Sequence, residues 1–257
     1  MGVVNLTPDS FSDGGRYLDP AAALAHARKL IAEGADILDI GGESTRPGAQ
    51  PVSEDEELAR VKPLVEALRD ASIPISVDTR RPRVMREALR AGASMINDVE
   101  ALESPGALES VASGDCAICL MHKKGDPATM QRDPRYGDVV AEVKAYLAER
   151  IAAAESAGIN RGRIAIDPGF GFGKTPAHNL ELLRRLDEFG SLGVPVVAGW
   201  SRKSTLGVIT GKPVDERLAA SIAAALLSVQ HGANILRVHD VTETRDALAV
   251  WQALRKA

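Results

Sequence analysis

Short apolar, β-branched runs alternate with longer amphipathic runs along the chain, and this alternation constrains the fold more than any other feature. Eight runs have the length and composition of strands, at residues 2–6, 36–42, 74–78, 94–99, 116–122, 163–167, 194–199 and 234–240. A helical pattern follows each run, with about 32 residues per unit, a common size in (β/α)₈ barrels. The sequence therefore predicts one α/β domain over residues 1–257, a (β/α)₈ TIM barrel. An open doubly wound sheet is the alternative, although it less often needs eight evenly spaced units.

Charge and composition exclude several classes of partner. The net charge is −4, which argues against nucleic acid or an anionic membrane surface as the main partner. The longest apolar run, LAASIAAALLSV, is too short to cross a bilayer, and no segment resembles a signal peptide. We therefore expect a cytoplasmic protein with no nucleic-acid and no membrane partner.

The two cysteines, Cys116 and Cys119, have the C-x-x-C spacing of a redox pair or of half a zinc site. The segment CAICLMH, however, has the pattern of a strand, in which residues three apart point to opposite faces. We expect two ordinary buried cysteines instead of a metal or redox site.

Several helix starts are marked by capping residues. Three of them precede a proline at the first helical position, in the pairs Asp19-Pro20, Ser104-Pro105 and Thr175-Pro176. Ser53 and Glu56 form a capping-box pattern.

Two connections stand out as long, TPDSFSDGGRYLD after the first predicted strand and ESTRPGAQPV after the second. Both are rich in Gly, Pro, Ser and Asp, which favour turns over packed structure. Long loops inside a compact domain are usually functional or disordered. We expect two long flexible loops that take part in the site.

The stretch AIDPGFGFGKT at residues 165–175 looks like a phosphate-binding loop but does not meet the requirements of one. A Walker loop would need a glycine where Pro168 stands, and proline has no N–H to offer a phosphate. The dinucleotide fingerprint also fails, because Lys174 occupies the position of its third glycine. What the stretch retains is an acid, Asp167, at the end of a predicted strand.

Polar side chains collect at the predicted strand ends, which in a barrel meet at the active-site face. Asp78, Asn97 and Asp167 could bind the guanidine-like edge of a heterocycle, because carboxylates accept paired N–H groups and a carboxamide both donates and accepts. A basic and hydroxylic group follows the last two strands and comprises Ser201, Arg202, Lys203, Ser204, Arg237 and His239. Barrel enzymes often bind phosphate there. The sequence thus predicts a ligand with a polar ring at one end and a phosphate at the other.

Each of these residues also has a structural alternative, since an acid at a strand end can cap the next helix or pair with an arginine. Three such groups on neighbouring strands argue against coincidence. The segment GWSRK does not supply a serine nucleophile, because Lys203 replaces the last glycine of the G-x-S-x-G elbow.

Seven motifs follow one another in the order NLTPDSFSDGG, GGESTRPGA, SVDT, INDV, DPGFGFGK, SRKS and RVHDV. Together they resemble the successive signatures of the dihydropteroate synthase family of pterin-binding enzymes, and they span Asn5 to Val241. The two long loop motifs are the most specific. The resemblance implies a transferase of folate biosynthesis, which joins 6-hydroxymethyl-7,8-dihydropterin pyrophosphate to p-aminobenzoate and releases pyrophosphate.

The resemblance also implies a role for each matching residue. The pterin ring would be bound by Asp78, Asn97, Asp167 and Lys203, with its faces against Met121, Phe172 and Gly199. The pyrophosphate would be bound by Thr45, Arg237 and His239, and a Mg²⁺ cofactor by Asn5. The p-aminobenzoate would be bound by Phe11, Arg46, Pro47 and Ser204. The glycines of DPGFGFGK would let the backbone approach a flat ring closely.

The chain departs from the family pattern at three places. Strand one lies almost at the start of the chain, where the family often carries a short extension. Thr205 stands where the family usually has a bulky aromatic residue, and this puts the shape of the p-aminobenzoate site, and with it sulfonamide affinity, in question. Lys123 stands where an apolar residue is common.

Two other functions remain open at this point. A pterin-dependent methyltransferase that acts with a corrinoid partner would need the Asp/Asn trio, but it would not need the pyrophosphate-binding residues. A non-catalytic pterin- or phosphate-binding protein is the second alternative. Arg237, His239 and the Ser-Arg-Lys-Ser run argue against the methyltransferase, and a set of ligands from which none is missing argues against the non-catalytic protein.

The segment ERLAASIAAALLSVQHG predicts a helix that is apolar around most of its circumference. A barrel helix normally keeps a polar outer face, so this one is expected to be covered on both sides. A second copy of the chain in a two-fold homodimer would provide that cover. The alternative is that its alanines simply favour helix and tolerate water.

Overall fold

The computed structural model describes residues 1–7, 20–43, 52–125 and 129–256. Its eight strands are β1 (Gly2–Asn5), β2 (Leu38–Gly41), β3 (Ile75–Asp78), β4 (Met95–Asp98), β5 (Ala117–Met121), β6 (Ile164–Asp167), β7 (Val197–Ala198) and β8 (Ile235–Leu236). Its α-helices in these ranges are α1 (Pro20–Ala32), α2 (Glu54–Ala67), α3 (Pro82–Ala91), α4 (Ala107–Ala112), α5 (Val139–Ser156), α6 (Pro176–Arg184), α7 (Ser204–Thr210), α8 (Leu218–Gln230) and α9 (Val241–Lys256).

The strands follow one another around a parallel barrel. β1 to β6 form one sheet in sequence order, and β7 pairs with β8. Single parallel bridges, Ile166 with Val196 and Gly2 with Val238, connect the two sheets on both sides. The strand order therefore returns to β1, which confirms the (β/α)₈ prediction and excludes an open sheet, whose first and last strands would remain apart.

β7 and β8 are much shorter than the segments predicted for them, 194–199 and 234–240. Pro195 has no N–H to donate to a neighbouring strand. The N–H of Val196 is bound by the side chain of Asn234 at 2.9 Å instead of by a backbone carbonyl. The regular ladder therefore begins only at Val197.

The core has two parts. A large hydrophobic cluster lies between the strands and the surrounding helices and includes residues of every described strand and helix. A smaller cluster of Met1, Met95, Cys119, Ala165 and Val197 takes the alternate positions on the strands and fills the barrel interior. Cys116 belongs to the large cluster and Cys119 to the small one, and both are free thiols. The expectation of two buried cysteines on opposite faces is confirmed.

Three of the four predicted helix starts agree with the structure and one does not. α1 begins at Pro20 as predicted, although the predicted cap Asp19 lies outside the described residues. Ser53 accepts the N–H of Glu56, and Thr175 forms a reciprocal capping box with His178. The start predicted at Ser104-Pro105 is wrong, because α4 begins at Ala107 after Gly106 with φ of 85°. The Ser104 hydroxyl donates to Glu100 at 2.8 Å and so caps no helix.

The connection between β7 and β8 holds two helices, α7 and α8, where the sequence predicts one helical pattern. Gly211, with φ of 71°, ends α7 in the left-handed region that glycine tolerates. No helix in the described ranges has both the length and the apolar character needed to span a membrane.

Candidate active site

A cavity of about 370 Å³ opens at the carboxyl ends of the strands. Eight of the residues to which the family resemblance assigns a ligand line it, namely Asn5, Asp78, Phe172, Gly199, Lys203, Ser204, Arg237 and His239, as do Ser201 and Arg202 of the basic and hydroxylic group. Phe11, Thr45, Arg46 and Pro47 lie outside the described residues. The strand ends converge here because every strand is parallel, so residues far apart in sequence reach one cavity.

Three predicted residues, Asn97, Asp167 and Met121, do not line the cavity wall themselves. Asp167 and Met121 are paired in register at the ends of β6 and β5. A Cβ added at Gly199 would lie 3.9 Å from Asp167 Oδ2, so the acid lies directly behind a glycine of the wall. Asn97 is the next-to-last residue of β4 and is paired in register with Asp78. All three side chains are buried, with 6–7% exposure.

Arg237 connects the acids of the site. Its Nε donates to Asp39 Oδ2 at 2.6 Å, and its Nη2 donates to Asp78 Oδ2 at 2.9 Å. Asp39 also accepts from Asn97 Nδ2 at 3.1 Å and from Ser76 Oγ at 2.7 Å. A completely buried carboxylate therefore orients both a predicted phosphate-binding residue and a predicted ring-binding residue.

Burial changes the acidity of Asp78 strongly. Loss of solvation raises its pKa to about 7, and the nearby carboxylate of Asp39 acts in the same direction. The guanidinium of Arg237 opposes this rise. Asp78 consequently changes charge near neutral pH, as do many groups at functional sites.

Asp167 and Lys203 form a second coupled pair of charges. Burial raises the pKa of Asp167, and the charge of Lys203 opposes that shift. Burial lowers the pKa of Lys203 to about 8, and the charge of Asp167 opposes it. Lys203 Nζ donates to the carbonyl of Phe170 and lies 4.3 Å from the centroid of the Phe172 ring. This places an ammonium above an aromatic face at the cavity wall.

The segment after Asp167 is a tight loop of left-handed glycines, Gly169, Gly171 and Gly173. A Cβ at Gly169 would lie 1.8 Å from the carbonyl oxygen of His122, and one at Gly173 would lie 2.2 Å from that of Lys124. Only glycine permits this approach to the end of β5. The Gly169 N–H is already bound by Asp167 Oδ1 at 2.7 Å.

The basic group after β7 and β8 is divided in two. Arg202, with φ of 60°, also lines the cavity, but its guanidinium forms an ion pair with Asp240. His239 and Ser201 remain at the cavity, joined by a contact of 2.9 Å between Nδ1 and Oγ. An imidazole and a hydroxyl thus face the cavity beside Arg237, which suits a phosphate.

Asn5, the predicted Mg²⁺ ligand, ends β1 at the cavity wall, with Thr7 and Glu43 lining the same cavity. In the described part of the chain, no three His, Cys, Asp or Glu side chains cluster in a way that could hold a metal. Amide, hydroxyl and carboxylate oxygens do suit Mg²⁺, which often takes one or two protein ligands and completes its shell with water and phosphate oxygens. The donor set therefore fits a Mg²⁺ ion that is bound together with a phosphorylated ligand.

Reasoning from the sequence missed several residues of the site. Asp39 gave a usable signal, because an acid in the middle of the apolar run DILDIGG needs a buried partner. Lys174, 2% exposed, was considered only as part of a failed phosphate motif. Glu43 and Arg217 line the cavity and gave no signal.

Two departures from the family pattern acquire a structural explanation. Thr205 is buried and accepts a hydrogen bond from Asn179 Nδ2 at 2.9 Å, while Asn179 Oδ1 accepts the N–H of Gly171 at 2.8 Å. The threonine thus belongs to a polar link between α7 and the glycine loop. Lys123 forms an ion pair with Glu100 at 2.9 Å.

Comparison with known proteins gives consistent results. Residues 1–239 match the family model "Pterin binding enzyme". The chain is 51% identical to the dihydropteroate synthase of Haemophilus influenzae, over 100% of this chain and 94% of that protein. It also resembles two structures of Xanthomonas albilineans dihydropteroate synthase. The one with 4-aminobenzoic acid has a TM-score of 0.94 at 55% identity and covers 100% of this chain and 92% of its own. The one with 7,8-dihydropteroate has a TM-score of 0.90 at 52% identity and covers 100% and 93%.

Proposed function

The chain belongs to the dihydropteroate synthase family of pterin-binding enzymes, and we propose how its own residues carry out the reaction of that family. The reaction condenses 6-hydroxymethyl-7,8-dihydropterin pyrophosphate with p-aminobenzoate and gives 7,8-dihydropteroate and pyrophosphate. The assignment of residues rests on one observation: the guanidinium of Arg237 forms ion pairs with both Asp39 and Asp78. It joins buried acids suited to a heterocycle and cationic groups suited to a pyrophosphate within one cavity.

The pterin ring binds at the acidic end. Asp167, Asn97 and Asp78 accept and donate hydrogen bonds along its amino-pyrimidine edge, and Lys203 donates to its carbonyl and ring nitrogen. Phe172, Gly199 and Met121 contact its faces. This assignment is supported by the burial of Asp167 and Asn97, because buried acceptors bind a ligand that satisfies them and reject one that does not.

The pyrophosphate binds at the opposite end, against Arg237, His239 and Thr45. Asn5 holds the accompanying Mg²⁺, which neutralises charge on the leaving group when it is bound. The supporting observation is that Asn5, His239, Arg237 and Ser201 line the same cavity.

The chemistry requires no protein nucleophile. The C–O bond to pyrophosphate breaks, the pterin ring stabilises the resulting cation on its exocyclic carbon, and the arylamine nitrogen attacks that carbon and then loses a proton. Ser204, Phe11, Arg46 and Pro47 orient the p-aminobenzoate for this attack. The residues act by positioning and by electrostatic stabilisation of the departing charge.

One experiment separates this function from its rivals. The protein is incubated with the pterin pyrophosphate and Mg²⁺, with and without p-aminobenzoate, and both pyrophosphate and dihydropteroate are measured. We expect dihydropteroate in amounts equal to the pyrophosphate released, and only when the amine is present. Tight binding without release would support the non-catalytic alternative. Methyl transfer from a methylated pterin to a corrinoid protein, without condensation, would support the methyltransferase.

We also propose that the chain acts as a single domain in a homodimer in the cytoplasm. Among the described residues, all the large exposed apolar side chains belong to α6–α9 or the α7–α8 connection, and they are Leu180, Val208, Ile209, Val214, Leu218, Leu227, Val250 and Leu254. Concentration of apolar residues on one side is typical of a surface that a second copy covers. The two free cysteines are typical of a reducing compartment.

A further inference from the structure

Lys174 is a buried cation that the proposed chemistry does not use. Its side chain is 2% exposed, and it is not among the residues that line the cavity. Its Nζ donates to the carbonyl oxygens of Gly169 at 2.9 Å and Phe172 at 3.0 Å, and it lies 2.9 Å from Nδ1 of His122. The carbonyl of His122 is a fourth, longer contact at 3.4 Å. Burial lowers the pKa of Lys174 well below its usual range, while the charge of Asp167 opposes that shift. The hydrogen-bonding groups of its Nζ are nevertheless met entirely within the protein.

His122 accepts this hydrogen bond as a neutral ring. Burial and the adjacent charge of Lys174 lower the pKa of His122 to about 3, so the imidazole stays uncharged at ordinary pH. Nδ1 of the neutral ring lies 2.9 Å from Nζ, and with Lys174 charged it accepts from the ammonium while Nε2 carries the proton. Tyr146 packs edge-on against the ring at a centroid distance of 5.0 Å and fixes its plane. His122 is therefore a rigid attachment point directly after β5.

The carbonyls that Lys174 binds belong to the loop at residues 168–173, which faces the cavity on its other side. Phe172 lines the cavity wall, and the loop carbonyl of Phe170 accepts from Lys203. With its glycines in left-handed conformations, the loop contains only one internal backbone hydrogen bond outside helices and strands, from Phe172 N to Gly169 O at 3.1 Å. The position of the loop therefore depends on side chains that hold it from outside.

We propose that Lys174 is a positioning residue for the condensation, which anchors the loop at residues 168–173 to His122 and thereby sets the positions of Phe172 and Lys203 against the pterin. This rests on the proposed function, because Phe172 and Lys203 matter only if the cavity binds a pterin. Without the Lys174 donors, the carbonyl of Phe172 would lose its hydrogen bond and that of Gly169 would keep only the N–H of Phe172, so the loop would shift to hydrate them. The acids Asp78 and Asp167 would keep their places on the strands.

The test compares Lys174→Met, which preserves length and removes the donors, with Lys124→Met. Lys124 is a neighbouring lysine that contacts the carbonyl of Arg135 and Glu142 at the surface. Both variants are made in a Trp251→Phe background, so that Trp200 is the only remaining tryptophan. Trp200 stacks on the loop residue Phe170 at a centroid distance of 4.7 Å, and its emission reports the position of the loop.

We expect Lys174→Met to unfold cooperatively, to shift the Trp200 emission and to weaken pterin affinity about 10-fold or more in calorimetry, roughly the loss of one charge-assisted contact. The KM for p-aminobenzoate should change by less than about 2-fold, because a positioning role affects the pterin step selectively. Lys124→Met should match the parent in emission, affinity and both KM values. A purely structural role would lower the melting temperature and leave both KM values alone.

A folded Lys174→Met with parental pterin affinity and emission would overturn the proposal. Should that variant fail to fold, His122→Phe tests the same anchor from β5, because it preserves a planar ring and removes the Nδ1 acceptor. It should weaken pterin affinity several-fold, and unchanged affinity would equally overturn the proposal. A parent protein that binds no pterin at all would instead overturn the proposed function, and with it the role of Lys174.

Discussion

Arg237 and Asp78 form a direct ion pair, with 2.9 Å between Nη2 and Oδ2, although the sequence resemblance assigns them to opposite ends of the substrate. The same guanidinium donates to Asp39, so its plane is fixed by two carboxylates. The ring-binding and phosphate-binding groups are therefore electrostatically coupled. A substitution that alters binding at one end of the substrate should therefore also alter the affinity for the other end.

The coupling predicts a bell-shaped pH dependence of kcat/KM for the pterin pyrophosphate. Asp78, with a pKa of about 7, can accept two N–H groups of the heterocycle edge at once only when it is ionised, so activity should rise as the pH increases through 7. Lys203, with a pKa of about 8, donates as an ammonium only below that value, so activity should fall above it. Steady-state kinetics from pH 5.5 to 9.5 would measure both limbs.

Lys203→Arg is the matched control for the alkaline limb, because guanidinium keeps its charge throughout this range. Its absolute activity should drop, and its alkaline limb should move well above pH 8. A profile that stays flat between pH 6 and 9 in the parent protein would contradict the assignment of both groups.

Arg237→Ala should lower the affinity for pyrophosphate more than the affinity for a pterin that lacks phosphates. The loss for pyrophosphate should be about 1.5–3 kcal/mol, the usual value of a hydrogen bond to a charged group. Without the opposing cation the pKa of Asp78 should rise further, so the smaller loss for the pterin should grow as the pH falls from 8 to 6.5. Calorimetry at the two pH values measures both effects. Equal losses for the two ligands at both pH values would show that Arg237 is only structural.

Asp167→Asn should weaken pterin binding by about 1–3 kcal/mol and leave pyrophosphate binding intact. The carboxamide keeps an oxygen for the N–H of Gly169, so the loop should survive while the charge is lost. Asp98→Asn is a matched control, since Asp98 is a buried acid at the end of β4 and accepts the backbone N–H groups of Glu100 and Leu102. That control should lose stability without losing pterin affinity. Parental pterin affinity in Asp167→Asn would remove Asp167 from the binding site.

p-Aminobenzoate should bind detectably only when Mg²⁺ and pyrophosphate are present. Its predicted contacts Phe11, Arg46 and Pro47 belong to the two segments rich in Gly, Pro and Ser, where ordering costs about 1–2 kcal/mol per residue. Pyrophosphate can bind Asn5, just before the first segment, and Thr45, within the second. Its binding would therefore order both segments before p-aminobenzoate binds. Titrations of p-aminobenzoate into the protein alone, with Mg²⁺ alone and with both Mg²⁺ and pyrophosphate provide the measurement. Equal affinity in all three would refute this order.

If the proposed homodimer forms, Leu227→Glu should convert it to a monomer at micromolar concentration. Leu227 lies on α8 and is 45% exposed, and a charge there would be buried without a partner in a two-fold interface. Ala145→Glu, at an exposed position of α5, adds the same charge outside the apolar surface and should leave the dimer intact. Light scattering distinguishes the two states. A parent protein that is monomeric under these conditions would end the dimer proposal.

The eight βα units, and many of the residues that line the cavity, could be predicted from the amino-acid sequence. Both are encoded locally, because periodicity marks each strand and helix, and polar residues such as Asp78 and Asp167 come directly after apolar runs. Parallel strands bring all such ends to one side, so local positions were enough to predict a common site. Thr175 could be identified as a cap for the same reason, since its partner His178 is three residues away.

The contacts between these groups, and the pKa values that result from them, could be read only from the folded structure. Arg237 and Asp39 are 198 residues apart, and they meet because the last strand lies beside the first. The pKa of Asp78 depends on burial and on that same long-range ion pair, which no local pattern records. Lys174 likewise reads as a surface cation in the sequence and becomes an internal anchor once the glycine loop lies against β5. Periodicity fixes the elements, whereas the contacts between charges arise only when the barrel brings distant strand ends together.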